Sequence, residues 1–291
     1  MPTGGVGRFS AAQSQSHIPA LLRLIPPITT VALWEYRIDN PDGAVDLSLP
    51  LPAPRLRQHW QNWASHCVAI DQALGNAHGL LREPWLEFDY PFAGNPGVFF
   101  RLDHRRGQCH RGVMAARHQI LPTLTTPWFP PELGDLKLQI SHCGLFPSRL
   151  SHQQGQIRLN LTGAEQWAWL ETQVPQLCSL ELKKLLDLSS LCWSATFDWG
   201  VNGLTRLGFE LYPAGRLQRA SMLQDPSVIN LLRDLSPWCP ATAIDQCCHR
   251  HHKWLQETTS GHAERFSHIK LSPSIDGVWS MKLYLLSHAT G

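Results

Sequence analysis

The chain has little charge. Asp, Glu, Lys and Arg together make up only 16% of its 291 residues, and the formal net charge is +2. That balance argues against a nucleic-acid binder, which would carry a strongly basic surface. Long apolar runs are also missing: none approaches the roughly 20 residues that a membrane-crossing helix needs. The opening Met1-Pro2-Thr3-Gly4-Gly5-Val6-Gly7 lacks a cationic start followed by an apolar core, so it does not read as a secretion signal. Eight cysteines lie scattered through a long chain, without the density of a disulfide scaffold. The expectation is a cytoplasmic protein with reduced thiols. Gly4-Gly5-Val6-Gly7 has neither the Gly-Lys-Ser/Thr ending nor the preceding strand of a phosphate loop. No Ser-His-Asp pattern or nucleophile elbow is present either.

What the chain does have is a set of segments that alternate with a period of two. They include Leu33-Trp34-Glu35-Tyr36-Arg37-Ile38-Asp39, Trp85-Leu86-Glu87-Phe88-Asp89, Gln156-Ile157-Arg158-Leu159-Asn160-Leu161, Arg206-Leu207-Gly208-Phe209-Glu210-Leu211-Tyr212, His268-Ile269-Lys270-Leu271 and Met281-Lys282-Leu283-Tyr284-Leu285. Successive side chains of a strand point to opposite faces, so each segment presents one apolar and one polar face. The polar face holds Glu35, Arg37, Glu87, Arg158, Glu210, Tyr212, Lys270, Lys282 and Tyr284. Its Lys and Arg residues occur singly, which suits a small anion better than a polymer.

The pattern predicts strand pairs near 29–50, 84–103, 136–161, 192–212 and 266–287, with turn signals such as Asn40-Pro41-Asp42-Gly43 and Gly94-Asn95-Pro96-Gly97 inside them. Between the pairs, apolar residues at helical spacing predict helices over 55–74, over 166–188 with a break at Pro175, and over 226–256 with breaks at Pro237 and Pro240. The proline-rich stretch 111–131 is expected to be only weakly helical. Residues 1–26 read as a mobile arm with a short helix, and 27–291 as a single domain. Local strand pairs point to antiparallel hairpins rather than a parallel sheet. About ten such strands are many for an open sheet, and closing them removes the exposed edges. An open sheet with helices on one face fits the pattern equally well.

Four stretches resemble the peptide prenyltransferases of cyanobactin pathways, which have the αββα prenyltransferase barrel. Trp85-Leu86-Glu87-Phe88-Asp89 resembles the first-hairpin glutamate of that family. Gly144 to Asn160, through Ser148-Arg149-Leu150 and Gln156-Ile157-Arg158-Leu159, resembles its second hairpin. Phe197-Asp198-Trp199-Gly200-Val201-Asn202-Gly203 through Phe209-Glu210-Leu211-Tyr212 resembles the third, and His268-Ile269-Lys270 to Leu283-Tyr284-Leu285 the fourth. The resemblance covers roughly 84–287 at the level of pattern, order and spacing. The family's fifth pair is C-terminal, whereas here an extra pair lies at 29–50. That hairpin is expected to close the barrel in a permuted order.

The resemblance implies an α+β barrel of about ten antiparallel strands ringed by helices, with the polar rows lining the lumen. It implies transfer of an isoprenoid from dimethylallyl or geranyl diphosphate to a nucleophilic side chain of a peptide. A small aromatic acceptor is one alternative, and a non-catalytic barrel holding a lipid or leader peptide is the other. Magnesium is implied with the diphosphate, without an aspartate-rich motif, and none is present. The reaction needs fixed cations for the leaving diphosphate, aromatic faces for the allylic cation and an acceptor for a proton. Arg101, Arg158, Lys270 and Lys282, with the phenols Tyr212 and Tyr284, are the diphosphate-binding candidates. Glu87 is the expected base, with Glu35 the second choice. Asp89 and Asp198 are further candidates to line the same space. His268 and Glu210 are assigned to the prenyl pocket. Arg206 shares their face and is a candidate partner for Glu210.

One rival cluster stands apart. Cys247-Cys248-His249-Arg250-His251-His252, with Cys239 nearby, has side chains at a spacing compatible with zinc on a helix. No second ligand pair accompanies it, and helix-surface histidines with packed cysteines are the better reading.

Overall fold

In the computed structural model, residues 31–54, 63–89, 94–103, 109–122, 139–149, 155–162, 166–188, 191–200, 203–213, 230, 235, 240–258, 262–273 and 279–289 are described. The strands are β1 Val31–Arg37, β2 Val45–Pro50, β3 Leu81–Phe88, β4 Gly97–Leu102, β5 Gln139–Phe146, β6 Gln156–Thr162, β7 Leu191–Gly200, β8 Gly203–Pro213, β9 His262–Pro273 and β10 Trp279–Ala289. Each pairs antiparallel with its neighbours in sequence, and β1 pairs with β10, so the ten strands close into one barrel. The extra N-terminal hairpin therefore does close the ring: Glu35 lies opposite Tyr284, and Arg37 opposite Lys282. An open sheet is ruled out. The proposed arm at 1–26 lies outside the described residues.

The helices occupy the even-to-odd connections: α1 Ala64–Asn76, α2 Cys109–Ile120, α3 Gln166–Gln173, α4 Leu180–Leu186 and α5 Ala241–Thr258. A 3₁₀ turn at Pro175–Leu177 divides α3 from α4 where the proline predicted a break. Ser179 caps α4 by accepting the Leu182 N–H at 3.1 Å; alanine there would cost about 1 kcal/mol. Contrary to expectation, 109–120 is a well-formed helix. Val113, Ala116 and Ile120 fall at three- and four-residue spacing and are buried. The breaking prolines begin only at Pro122, after its last turn.

Alternation sorts the strand residues cleanly. The outward set includes Trp34, Tyr36, Leu47, Leu49, Phe88, Phe100, Leu145, Leu159, Phe197, Phe209, Ile269 and Leu283, all buried in the layer that the helices cover. α5 packs on this wall through Ile244, Cys247 and His251, and the Tyr36 hydroxyl lies 2.9 Å from His251 Nδ1. Phe→Ala at a site such as Phe209, which is fully buried, would cost roughly 3–5 kcal/mol, because both the transfer energy and a cavity count against the fold. The other face of every strand looks into the lumen.

Candidate active site in the barrel lumen

The hairpin turns all lie at one end of the barrel and the helix-bearing connections at the other, as the strand order requires. Residue number thus gives the direction of travel along each strand, and the register between strands sets the level. Lumen residues late in odd strands, or early in even ones, sit toward the turns. The lumen holds a charged tier, most of it toward the turn side, and an aromatic tier that reaches toward the connection side.

In the charged tier, Arg158 and Asp198, neighbours in the β6–β7 register, form a two-pronged ion pair. Nε donates to Oδ1 at 2.5 Å and Nη2 to Oδ2 at 2.8 Å. Burial works against the Asp198 charge, but Arg158 outweighs it and holds the carboxyl well below the usual range. Across the β1–β10 seam, Lys282 donates to Glu35 Oε1 and the Tyr284 hydroxyl to Oε2. Burial again opposes the Glu35 charge, and these two partners overcome it, so that carboxyl is held low. Glu210 accepts from Asn160 Nδ2 at 2.6 Å and from the Tyr212 hydroxyl.

Lys270 is the exception. Only 2% exposed, its ammonium has Glu210 at 3.8 Å and no hydrogen-bond partner among the described residues. Burial, then repulsion from Arg158, pulls its pKa down to about 7, with Glu210 and Asp198 resisting.

Glu87 differs from Glu35. Its Oε1 accepts from Arg149 Nη2, and among the described residues Oε2 accepts nothing. Burial, with repulsion from Asp89 and Glu35, outweighs Arg149 and Arg158 and holds the Glu87 carboxyl above its ordinary value.

The aromatic tier encloses a cavity of about 180 Å³ lined by Leu33, Trp85, Phe99, His142, Tyr212, His268 and Tyr284, with Glu87, Arg158, Asn160, Glu210 and Ser48 on its wall. His268 lies between two phenol rings, stacked on Tyr284 at 4.0 Å between centroids and tilted against Tyr212 at 4.8 Å. Burial lowers its pKa to about 4, so it is neutral at physiological pH. Burial, followed by the adjacent Glu210 and Glu35, holds the phenols of Tyr212 and Tyr284 protonated.

Nine of the ten residues predicted for the site converge on this lumen: Glu35, Glu87, Arg158, Glu210, Tyr212, His268, Lys270, Lys282 and Tyr284. Arg101 does not. Two residues beyond Phe99 on β4, it sits at the connection end, away from the cations, with its side chain 59% exposed and paired to Glu83 at 3.3 Å. Arg206 bonds Ser280 at 2.9 Å rather than Glu210. Asp198 joins the charged tier, and Asp89 lies at its turn-side rim with Arg149.

Arg149 is the important residue that the alternation did not select, because it lies in the turn after β5, outside any period-two row. Its only sequence signal was its place in the second resembling hairpin. Trp85, Phe99, His142 and Asn160 are further wall residues that the sequence reading did not assign.

The Cys-His run of α5 is dispersed around the helix. Cys247 and His251 are buried against the wall, His252 pairs with Glu264 at 2.8 Å, and Arg250 donates to the Pro41 and Gly43 carbonyls. Among the described residues no three His, Cys, Asp or Glu side chains are grouped to hold a metal. The lumen carboxylates fit a protein-held magnesium poorly, since Glu35, Glu87, Asp89 and Asp198 are already engaged by Lys or Arg. No helix among the described residues is long and apolar enough to cross a membrane.

No family model and no curated protein matches the sequence. Among solved structures, the chain is similar to AnaPT from Neosartorya fischeri at 13% identity, covering 90% of this chain and 78% of that one with a TM-score of 0.49. It is also similar to a 5-dimethylallyltryptophan synthase from Streptomyces coelicolor, at 12% identity, 88% and 80% coverage and a TM-score of 0.48. A 6-dimethylallyl tryptophan synthase is similar at 14% identity, 87% and 80% coverage and a TM-score of 0.44. The barrel assignment rests on this chain's own strand pairing, which closes all ten strands through β1 and β10.

Proposed function

We propose that the protein is a prenyltransferase that moves an isoprenoid from its diphosphate to a nucleophilic side chain of a peptide. The observation that carries this reading is Lys270, a buried ammonium without a hydrogen bond among the described residues. Its Glu210 neighbour and Arg158, whose charge repels it, both line the aromatic cavity. Leaving such a group unpaired in a dry interior is costly, and an anion beside it removes that cost.

The diphosphate would lie against Lys270, Arg158 and Lys282, while the phenols of Tyr212 and Tyr284 keep their single protons on Glu210 and Glu35. The isoprenoid would extend into the cavity. As its carbon–oxygen bond breaks, the electron pair stays on the diphosphate, where the cations stabilise it. The faces of Tyr212 and Tyr284 then shield the allylic cation, and His268, being neutral, adds no repelling charge. The acceptor attacks with its own electron pair and releases its proton to Glu87 Oε2. Magnesium enters none of these steps.

Cavity size admits a second reading for the acceptor. A cavity of roughly 150 Å³ takes up a benzene molecule, so about 180 Å³ suits one ring or one five-carbon unit. A peptide would present a single side chain with its backbone outside. A free aromatic compound would fit equally well. The test is mass spectrometry after incubation with dimethylallyl and geranyl diphosphates, with candidate peptides in one arm and free tryptophan and tyrosine in the other. Prenylated peptide supports the first reading and prenylated amino acid the second. A co-purified lipid or peptide with no turnover in either arm would make the barrel a binding protein.

A further inference from the structure

Glu87 is held from one side only, and the group that holds it is shared. Arg149 Nη2 reaches Glu87 Oε1 and lies 2.5 Å from Asp89 Oδ1, while its Nε donates to Asp89 Oδ2 at 2.7 Å. Two carboxylates thus share one guanidinium, which leaves one negative charge in excess.

Arg149 sits in a built seat. Its guanidinium lies 3.7 Å over the centre of the Phe146 ring. That ring in turn occupies space opened by two glycines: a Cβ on Gly97 would come within 2.4 Å of Phe146, and one on Gly144 within 3.0 Å. Gly97 is the β4 partner of Glu87 itself. The turn carrying Arg149 is tied to the neighbouring β3–β4 turn, where the Ser148 hydroxyl donates to the Asn95 carbonyl at 2.8 Å.

We propose that Arg149 is a positioning residue for proton removal: it fixes Glu87, a cavity-lining residue, through one oxygen, leaves the other without a donor among the described residues, and sets the pH at which Glu87 can accept a proton. This rests on the reading of Glu87 as the base. During transfer the acceptor's X–H bond breaks and its proton moves to Glu87 Oε2. The acceptor's bond to the isoprenoid carbon forms, and the carbon–oxygen pair leaves with the diphosphate. Arg149 keeps its own proton throughout. When Glu87 is neutralised, Asp89 still balances the guanidinium, so the clasp does not collapse.

The charged and titratable groups that face Glu87 are Asp89 just past the end of its strand, Arg149 from the β5–β6 turn, Glu35 from β1, Arg158 from β6 and Tyr284 from β10. Arg149 and Asp89 act on it with opposite sign, and this gives a signature that loss of folding does not produce.

The experiment follows the titration of glutamate carboxyl carbons by NMR in the full-length protein without substrate. The Glu87 signal is assigned by its disappearance in Glu87→Gln. Arg149→Met should raise the Glu87 midpoint by about 1–3 pH units, the usual influence of an adjacent opposite charge. Asp89→Asn should lower it, and Arg149→Lys should restore part of the wild-type value. The acid limb of transfer from dimethylallyl diphosphate should move with these midpoints. Midpoints that stay put in both Arg149→Met and Asp89→Asn overturn the proposal. Full transfer by Glu87→Gln would instead overturn the base on which it rests, so the two failures are told apart.

Discussion

The β1–β10 seam and the β3–β5 sector of the lumen use the same materials to opposite ends. At the seam, Glu35 has both oxygens engaged, by Lys282 and Tyr284, and is held firmly ionised. In the β3–β5 sector, Glu87 has one oxygen engaged by an arginine it shares with Asp89, and its carboxyl binds a proton more readily than usual. Both are glutamates on inward-facing positions of adjacent hairpins, and both are buried. The difference lies in how many partners each has and how those partners are shared. Glu35 is thereby held charged and in place, whereas Glu87 is the more readily protonated of the two.

The largest effect should come from exchanging those roles. Glu87→Gln keeps the shape and removes the proton acceptor, so transfer should fall roughly 10²–10⁴-fold while donor affinity is retained. Glu35→Gln leaves Lys282 without its counter-charge and should lower the melting temperature more than it lowers turnover. Single-turnover rates, with binding of a non-hydrolysable diphosphate analogue, check both. The opposite pattern would move the base to the seam.

Next in size is the charged tier as an anion site. Lys270→Ala, Arg158→Ala and Lys282→Ala should each weaken the analogue by about 2–4 kcal/mol, or roughly 30- to 1000-fold. Arg158→Ala also leaves the 3%-exposed Asp198 unpaired, so the folded fraction must be measured alongside. Unchanged affinity in all three variants would leave the tier a purely structural network.

A pH effect sharpens the contrast between Lys270 and its paired neighbours. With its pKa lowered to about 7 in the free protein, Lys270 is increasingly neutral above that pH, and an arriving diphosphate must restore its proton. Affinity should fall as pH rises above 7, approaching a tenfold loss per pH unit. Calorimetry in buffers of different ionisation enthalpy should register net proton uptake, and Lys270→Ala should abolish it. A flat profile would mean that Lys270 stays charged with Glu210 alone.

The smallest effect is expected at Arg101. Its ion pair with Glu83 joins side chains that are 59% and 61% exposed, and exposed pairs contribute about 0–1 kcal/mol. Arg101→Ala should leave donor affinity as it is. A clear loss in the same binding assay would place the diphosphate at the connection end of the barrel.

Much of this was legible in the alternation. Glu35 and Tyr36, or Lys270 and Leu271, could be assigned to opposite faces before any strand was paired, and the strand pairs fell close to their predicted positions. Helix 109–120 is obscured in the sequence by the prolines that follow it, which begin only past its end. Arg101 shares the inward parity of the lumen residues, but parity does not set height along the barrel, and its side chain is exposed beside Glu83. Arg149 escaped because turns carry no period.

The amino-acid sequence by itself determined which side chains share a face, since a strand alternates whatever its neighbours are, and it determined that both carboxylates and cations would line one surface. Closure was decided by tertiary structure, through the pairing of β1 with β10. So was height along the barrel, which depends on how neighbouring strands are staggered. The character of each carboxylate was decided there too: proton affinity in a dry lumen depends on the number and sharing of charged partners within a few ångströms, and those partners come from strands and turns far apart in the chain.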